Sequence, residues 1–266
     1  MKDKKMKQIY TLFLILSVFI TGSFSTAFSN AGAVIYFYNP ETNINNFATL
    51  KTAFDNYLSI QGIFHFQPFD NRNNFETVVK QKTADVYLLS SWHLEALQKQ
   101  NIPIEAHMCG TYKGNIMQRK VLSAKKDIIN TSMLKDTVIA GAGSEDYIRS
   151  ILQQILGKEH QELLEHVKIL TVPKDIDALM AVSFGMATAA ISAESSLTKL
   201  AIINPNQFQQ LHSLGFSEKA YILIAATLKK PEQLQTQLLE ILRKMPETGT
   251  GEKNLKLLGI DGWRPL

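Results

Sequence analysis

The stretch 138–157 constrains the fold most, because it combines a buried strand, a glycine turn and an amphipathic helix. Apolar residues recur at the spacing of one helical face, at Ile148, Ile151, Leu152, Ile155 and Leu156. Ser144 suits the N-cap of this helix, and Gly157 stands where a glycine commonly ends one. The first helical turn would direct free backbone N–H groups away from the strand end, where they can receive a ligand group. The alternative interpretation is an ordinary strand-to-helix turn.

The same turn lacks the residues of two catalytic or cofactor motifs. A dinucleotide-binding fingerprint requires a third glycine where Asp146 follows Gly141 and Gly143. A nucleophile elbow requires glycines two residues either side of Ser144, where Ala142 and Asp146 stand. None of the six histidines pairs with a serine or an acid at a recognisable spacing. We therefore expect a protein that is not an enzyme, with no catalytic residues and no cofactor.

The N-terminus has the three parts of a secretory signal peptide. Four lysines precede an apolar run at 9–20, and small residues follow at 25–31. The apolar run is shorter than the roughly 18 residues that a membrane span needs, and an uncleaved anchor is the alternative. We expect a signal peptide over 1–27, cleaved there or as late as 31, and export to the periplasm of a Gram-negative bacterium.

Charge and cysteine content narrow the class of partner. Without 1–27 the chain holds 24 basic and 23 acidic residues, so the leader supplies most of the basic character of the full sequence. No basic stripe with interleaved aromatic residues remains, and we expect no nucleic-acid partner. Cys109 is the only cysteine, which excludes an internal disulfide and leaves none after the leader to carry a lipid. We expect a soluble monomer that is not lipid-anchored and is held by its hydrophobic core.

Strand-like and helix-like segments alternate along the chain, which indicates an α/β fold with mostly parallel sheets. Extended segments are predicted, among others, at 84–89 and, as one longer strand, at 112–124. The alternating strands and helices form two series of similar size, which extended segments join twice. This arrangement predicts two lobes with a cleft between them. We assign 32–118 and 217–266 to lobe 1 and 119–216 to lobe 2.

Ligands of open α/β sheets bind beyond the carboxyl ends of the strands, and four such ends carry polar or aromatic residues here. We expect ligand contacts at these ends and at the start of the longer strand, from Tyr38, Asn39, Ser90, Ser91, Trp92, His93, Tyr112, Gly143, Ser144, Glu145, Asp146, Tyr147, Ser192 and Glu194. Tyr38, Trp92 and Tyr147 either stack on a flat or cationic ligand or belong to the core. Glu145 and Asp146 either stabilise their own helix through its dipole or, with Glu194, face a cationic or hydrogen-bond-donating ligand.

Two further patterns resemble binding motifs. The sequence His107-Met108-Cys109 groups three soft-metal ligands, but neighbours on an extended chain point to opposite faces, so we expect no metal site. The segment 249–253 is similar to a phosphate-binding loop, yet it lacks the glycine-lysine pair followed by serine or threonine. We predict an ordinary loop there.

The order of these elements resembles that of the type II periplasmic solute-binding proteins, in their phosphate/phosphite/phosphonate-type, transferrin-like group. The resemblance runs from roughly Val34 to Trp263 and rests on the segments 82–86, 112–126, 133–136, 138–157, 177–182 with Gly185, and 257–261. It implies two lobes on a two-strand hinge, with a small-molecule ligand captured between the lobes and delivered to an ABC importer.

The chain departs from this family pattern at two places. Thr188 stands where the family usually has an acidic residue before two small ones. Glu145 and Asp146 follow Ser144 where phosphonate binders have hydroxyl residues and glycine around the anion. Like charges about 4 Å apart repel by several kcal/mol at an effective dielectric of about 20, which exceeds the attraction of a helix terminus. We therefore expect the family fold with a ligand that need not be an oxyanion.

The leading functional hypothesis is an extracytoplasmic solute-binding protein that serves an ABC permease in the inner membrane. The alternative is a periplasmic ligand-sensing subunit of a membrane sensor kinase, built on the same fold. An exported hydrolase is the third hypothesis, and it would need a nucleophile, for which Ser144 is the residue to test.

Overall fold

The computed structural model describes residues 32–39, 46–81, 85–157 and 160–266. The predicted signal peptide over 1–27 lies outside these residues, as do positions 82–84 of the family resemblance. Within the described part of the chain, no helix is both long and apolar enough to cross a membrane.

The described residues form thirteen strands, ten α-helices and two short 3-10 helices, at Thr131–Leu134 and Met245–Glu247. The strands are β1 (Ala33–Tyr38), β2 (Phe64–Pro68), β3 (Val86–Leu89), β4 (Ile104–Thr111), β5 (Met117–Gln118), β6 (Lys120–Lys125), β7 (Val138–Ala142), β8 (Lys168–Val172), β9 (Ala189–Ala193), β10 (Leu211–Phe216), β11 (Ala220–Tyr221), β12 (Ile224–Leu228) and β13 (Gly262–Pro265). The helices are α1 (Phe47–Leu58), α2 (Arg72–Lys80), α3 (Ser91–Lys99), α4 (Glu145–Leu156), α5 (Gln161–His166), α6 (Asp175–Ser183), α7 (Glu194–Ile203), α8 (Pro205–Gln209), α9 (Gln233–Lys244) and α10 (Gly249–Leu257).

Two large sheets divide the structure into two lobes. The sheet of lobe 1 has the order β13-β4-β12-β3-β1-β2, and that of lobe 2 has the order β10-β6-β9-β7-β8. Each sheet carries its own buried side chains on both faces, such as Phe37 and Tyr87 in lobe 1 and Ile139 and Ala140 in lobe 2. Each lobe therefore has a core of its own, as two lobes that move relative to each other require.

The chain passes between the sheets twice, and the two crossing segments pair with each other. The first runs from β4 to β6 through β5, and the second from β10 to β12 through β11. Within this small antiparallel ladder, Gln118 lies opposite Ala220 and Met117 opposite Tyr221. The prediction of an α/β fold with two lobes and two connecting strands is confirmed.

Both sheets are mixed, and the prediction of mostly parallel strands is wrong in this respect. The parallel pairs are β1 with β2 and β3, and β7 with β8 and β9. The other five pairings in the two sheets are antiparallel. The physical reason is the crossing: β6 and β12 enter their sheets from the cleft side, so they run against the strands that end at the cleft.

Two local predictions also differ from the structure. The segment 112–124 is not one strand, because Tyr112 and Asn115 close a tight turn in which Lys113 and Gly114 have φ of 50° and 78°. The preceding strand β4 was not predicted, because buried and exposed side chains do not alternate along it.

The segment 249–253 is not a loop but the start of α10. Thr248 caps this helix by accepting a hydrogen bond from the backbone N–H of Gly251 at 3.1 Å. A glycine suits that position because an added Cβ would collide with the carbonyl oxygen of Met245. The glycines that resemble a phosphate loop thus serve the packing of a helix start.

Candidate ligand site between the lobes

The glycine turn forms as predicted, and its serine caps its own helix. Gly143 has φ of 111°, a backbone conformation that favours glycine. Ser144 Oγ accepts a hydrogen bond of 3.3 Å from the backbone N–H of Tyr147 in the first turn of α4. This hydroxyl is therefore engaged in the structure of the helix.

Both carboxylates that follow the serine are paired with an arginine. Glu145 Oε1 accepts a hydrogen bond of 2.8 Å from Arg149 Nε, one helical turn later. Asp146 Oδ2 lies 3.7 Å from a terminal nitrogen of Arg72, which belongs to lobe 1. Since a guanidinium balances each carboxylate, the turn gives no electrostatic reason to expect a cationic ligand.

The predicted aromatic residues meet in two pairs. Trp92 of lobe 1 and Tyr147 of lobe 2 contact each other edge to face, with ring centroids 5.8 Å apart. Tyr38 contacts His93 within lobe 1, with centroids 5.2 Å apart, and burial raises the pKa of its hydroxyl. Tyr38 and Tyr147 are almost fully buried, so they belong to the core as the alternative interpretation stated.

His93 is a buried structural residue. Its Nε2 lies 3.0 Å from Oε1 of Glu76, which also accepts a hydrogen bond of 2.7 Å from Arg72 Nε. Burial lowers the pKa of His93 to about 4, from an ordinary 6.5. Burial by itself raises the pKa of Glu76, but the hydrogen bonds from Arg72 and His93 outweigh it and leave that pKa below 4.5. The neutral imidazole and the carboxylate thus support the interior of lobe 1.

Two of the predicted serines, Ser90 and Ser91, make hydrogen bonds within the fold. Ser90 caps α3 by accepting a hydrogen bond from the backbone N–H of His93 at 3.2 Å, and Ser91 Oγ donates to the carbonyl of Tyr221 at 3.1 Å. Ser192 is fully buried in β9, and its Oγ has no hydrogen-bond partner among the described residues. Asn39 is partly buried after β1.

A large cavity lies between the lobes, on the side of α7. Its volume is about 920 Å³. Lobe 1 supplies the turn after β4 and Gly259, lobe 2 supplies one face of α7, and the crossing segments supply Gln118 and Lys219. This cavity brings together two of the predicted residues, Tyr112 and Glu194, which are separated by 82 positions in the sequence.

Positive charge predominates on the walls of the cavity. Four cationic side chains line it, from Lys113, Arg119, Lys199 and Lys219, together with the carboxylates of Asp175 and Glu194. Both carboxylates are paired: Glu194 accepts two hydrogen bonds of 2.8 and 2.7 Å from Arg119, and Asp175 pairs with the buried Lys120 at 3.0 Å. Hydrogen bonding to Arg119 lowers the pKa of Glu194. The walls therefore carry an excess of cations.

The N-terminus of α7 opens onto the same cavity. Ala193 stands at its N-cap and offers no side chain to bond the first backbone N–H groups. Ser195 and Ser196 of the first turn line the cavity. The backbone N–H of Ala193 donates to Asp175 at 2.7 Å and that of Glu194 to the carbonyl of Arg119 at 3.2 Å, which leaves the amides of Ser195 and Ser196. The partial positive charge of this helix start adds to the charge of the cationic side chains.

Sequence reasoning missed most of these cavity residues. Lys113, Arg119, Lys199 and Lys219 are isolated cations in the sequence, and only the folding of both crossing segments onto α7 brings them together. The triplet Glu194-Ser195-Ser196 after a buried strand was the one local signal, and sequence reasoning took from it Glu194 alone.

Of the three potential metal ligands of β4, Met108 lies in the core of lobe 1, and the other two make hydrogen bonds. His107 Nε2 lies 2.7 Å from Thr227 Oγ1, and Cys109 Sγ donates to the carbonyl of Arg264 at 3.6 Å. Across the described ranges, no three His, Cys, Asp or Glu side chains are grouped as a metal ion would need.

Solved structures share this architecture, although no family model and no curated sequence matches the chain. A binding protein component of an ABC phosphonate transporter from Pseudomonas aeruginosa has a TM-score of 0.63 at 14% identity, over 88% of this chain and 82% of that one. PhnD1 from Prochlorococcus marinus, in complex with methylphosphonate, has a TM-score of 0.61 at 11% identity, over 89% and 93% of the two chains. XAC2383 from Xanthomonas citri, bound to ATP, has a TM-score of 0.60 at 12% identity, over 88% and 92%.

These likenesses concern the fold, because the identities are low. In each sheet of this chain, the strand that arrives from the other lobe lies between the third and fourth strands of the lobe's own series. The chain therefore has the two-lobed α/β fold of the type II periplasmic solute-binding proteins, and its resemblance to their phosphonate-type group holds at the level of that fold.

Proposed function

We propose that the protein is an extracytoplasmic solute-binding protein that encloses a small molecule between its lobes. The observation that carries this proposal is the cavity of about 920 Å³, whose walls come from both lobes and both crossing segments. A cavity of this size is in the range that encloses small molecules. Bending of the two crossing segments would open and close the cavity around the solute, as hinged binding proteins do.

We propose an anionic solute. On the cavity walls Arg119 pairs with Glu194, and Asp175 pairs with the buried Lys120. These pairs leave the cations of Lys113, Lys199 and Lys219, and the start of α7 adds partial positive charge. The acidic turn after Ser144 does not oppose an anion here, because arginines balance both of its carboxylates. Among the residues predicted from the sequence, Tyr112 and Glu194 are those we expect to face the solute.

The remaining parts of the proposal follow from the fold. We propose that lobe 1 comprises 32–118 and 217–266 and lobe 2 comprises 119–216, since these limits fall at the two crossings. A soluble protein in the periplasm that presents its solute to an ABC permease is the role that this architecture supports best. Association with a sensor kinase in place of a permease would leave the solute site unchanged.

A thermal-shift screen tests the proposal. The full-length gene is expressed in a Gram-negative host, and the protein is purified from the periplasm, with its mass reporting any cleavage near 27–31. Phosphate, phosphonates and sulfonates are screened beside amines, amino acids and metal ions. A solute that binds only the native state raises the melting temperature as its concentration increases. We expect an anion to do so, and a screen in which no anion stabilises the protein would contradict the proposed solute class.

A pair of lysine variants tests whether the solute binds in this cavity. Lys199 lines the cavity, whereas Lys168 is exposed on β8, outside the cavity. We expect Lys199→Gln to weaken binding of the anion by about tenfold, since a charged hydrogen bond contributes on the order of 1.5 kcal/mol or more. The control Lys168→Gln should bind as the unaltered protein does, and equal effects of the two variants would exclude this cavity.

A further inference from the structure

Two side chains of lobe 1 reach across to lobe 2, on the α4 side of the crossing segments. The ring of Trp92, in the first turn of α3, packs against the buried core cluster of lobe 2. It meets Tyr147 edge to face, at an interplanar angle of 78°. Arg72, the first residue of α2, lies over the same ring with 5.1 Å between its guanidinium carbon and the ring centroid, and it also reaches Asp146.

Arg72 is held in position from within lobe 1. Its Nε donates to the buried carboxylate of Glu76 at 2.7 Å, while a terminal nitrogen points to Asp146. Glu76 is fixed in turn by His93, which is fully buried. A guanidinium anchored in this way loses little further freedom when lobe 2 comes into contact with it.

We propose that Trp92 and Arg72 of lobe 1, with Tyr147 and Asp146 of lobe 2, form a latch. It stabilises the arrangement of this structure, in which both lobes line the cavity and which is called the closed form below. This inference rests on the proposed function, because it concerns how the solute cavity stays closed. The latch lies on the α4 side, whereas α7 lines the cavity, so its four residues stabilise closure without lining that cavity. By raising the population of the closed form, the latch increases the apparent affinity for the solute and slows its release.

The aromatic contact should contribute more to the latch than the ion pair does. The Asp146 side chain is 75% exposed, and exposed ion pairs at such distances contribute little. Trp92 is partly buried against the lobe-2 core, where ring contacts and the cation above the ring are stronger. We therefore expect Trp92→Leu to shift the ratio of open to closed molecules by about tenfold, and Asp146→Asn by about twofold.

Distance measurements between the lobes test the latch without any solute. Spin labels are placed on Gln100→Cys in lobe 1 and Lys168→Cys in lobe 2, both exposed positions, in the full-length chain. The native Cys109 is fully buried and stays in place. We expect the latch variants to move label distances toward longer values.

The matched control is Glu145→Gln, which removes the same charge one residue away but breaks only a pair within α4. It should leave the distances as in the unaltered protein. Unchanged distances in both Trp92→Leu and Asp146→Asn, with circular dichroism showing native folds, would overturn the latch. Equal shifts in Asp146→Asn and Glu145→Gln would also overturn it. Failure of the proposed function has a different signature, namely no solute that raises the melting temperature of the unaltered protein.

Discussion

The buried pair of His93 and Glu76 should make the stability of the protein depend on pH in a predictable direction. In the folded chain the pKa of His93 is about 4, because burial disfavours the charged imidazole. In the unfolded chain the imidazole is solvated and titrates near its ordinary 6.5. Between these two values the unfolded chain binds more protons than the folded one, so the free energy of unfolding falls as the pH falls.

The size of this loss follows from the two pKa values. From His93 alone, proton linkage lowers the free energy of unfolding by about 2 kcal/mol between pH 7 and pH 5. Glu76 adds little in this window, because its pKa lies below its ordinary 4.5 and it remains a carboxylate. The assay is urea-induced unfolding at the two pH values, in which the change in the midpoint and slope gives the change in stability.

His93→Gln isolates the contribution, since a glutamine amide can donate to Glu76 and does not titrate. We expect the difference in stability between pH 7 and pH 5 to shrink by about 2 kcal/mol in this variant, whatever the substitution costs at pH 7. His65 is exposed on β2, and His65→Gln serves as the control that should retain the full difference. A His93→Gln protein that loses as much stability on acidification as the unaltered protein would refute the reasoning.

Two further predictions concern packing and buried charge. Gly251→Ala should destabilise the protein by about 2 kcal/mol, because the added Cβ would collide with the carbonyl oxygen of Met245. The control Gly249→Ala places its Cβ in open space and should not change the stability. Chemical denaturation compares the two variants, and equal stabilities would contradict the prediction. Lys120→Met should lower the free energy of unfolding by about 3 kcal/mol, because it leaves the mostly buried carboxylate of Asp175 without its cation. A decrease of less than about 1 kcal/mol in chemical denaturation would show that this ion pair contributes little to stability.

Local structure followed closely from the sequence where neighbouring residues decide it. The strand, glycine turn and helix of 138–157 form with Ser144 at the N-cap and Gly157 at the end, because hydrogen bonds between close neighbours determine these features. The alternation of strands and helices likewise predicted an α/β fold with two lobes, because each lobe is built from consecutive βα units.

The direction of the inserted strands and the position of β4 could not be predicted in the same way. Both depend on how the chain crosses between the lobes, and the crossing is decided by pairing between segments far apart in the sequence, such as β5 with β11. The side chains along β4 do not alternate between buried and exposed positions, so its sequence carries no clear strand signal.

In the candidate site, too, some features are set by neighbouring residues and others by contacts between distant segments. The sequence by itself determined which residues stand at the carboxyl ends of the strands, including Glu194. The reason is that a short apolar run followed by polar residues marks where a strand ends. Only the tertiary structure decided the charge that a ligand would meet, since Arg72 and Arg119 come from distant segments to balance Asp146 and Glu194. The physical reason is that electrostatic pairing acts through space over a few ångströms, and the fold alone sets which charges come within that distance.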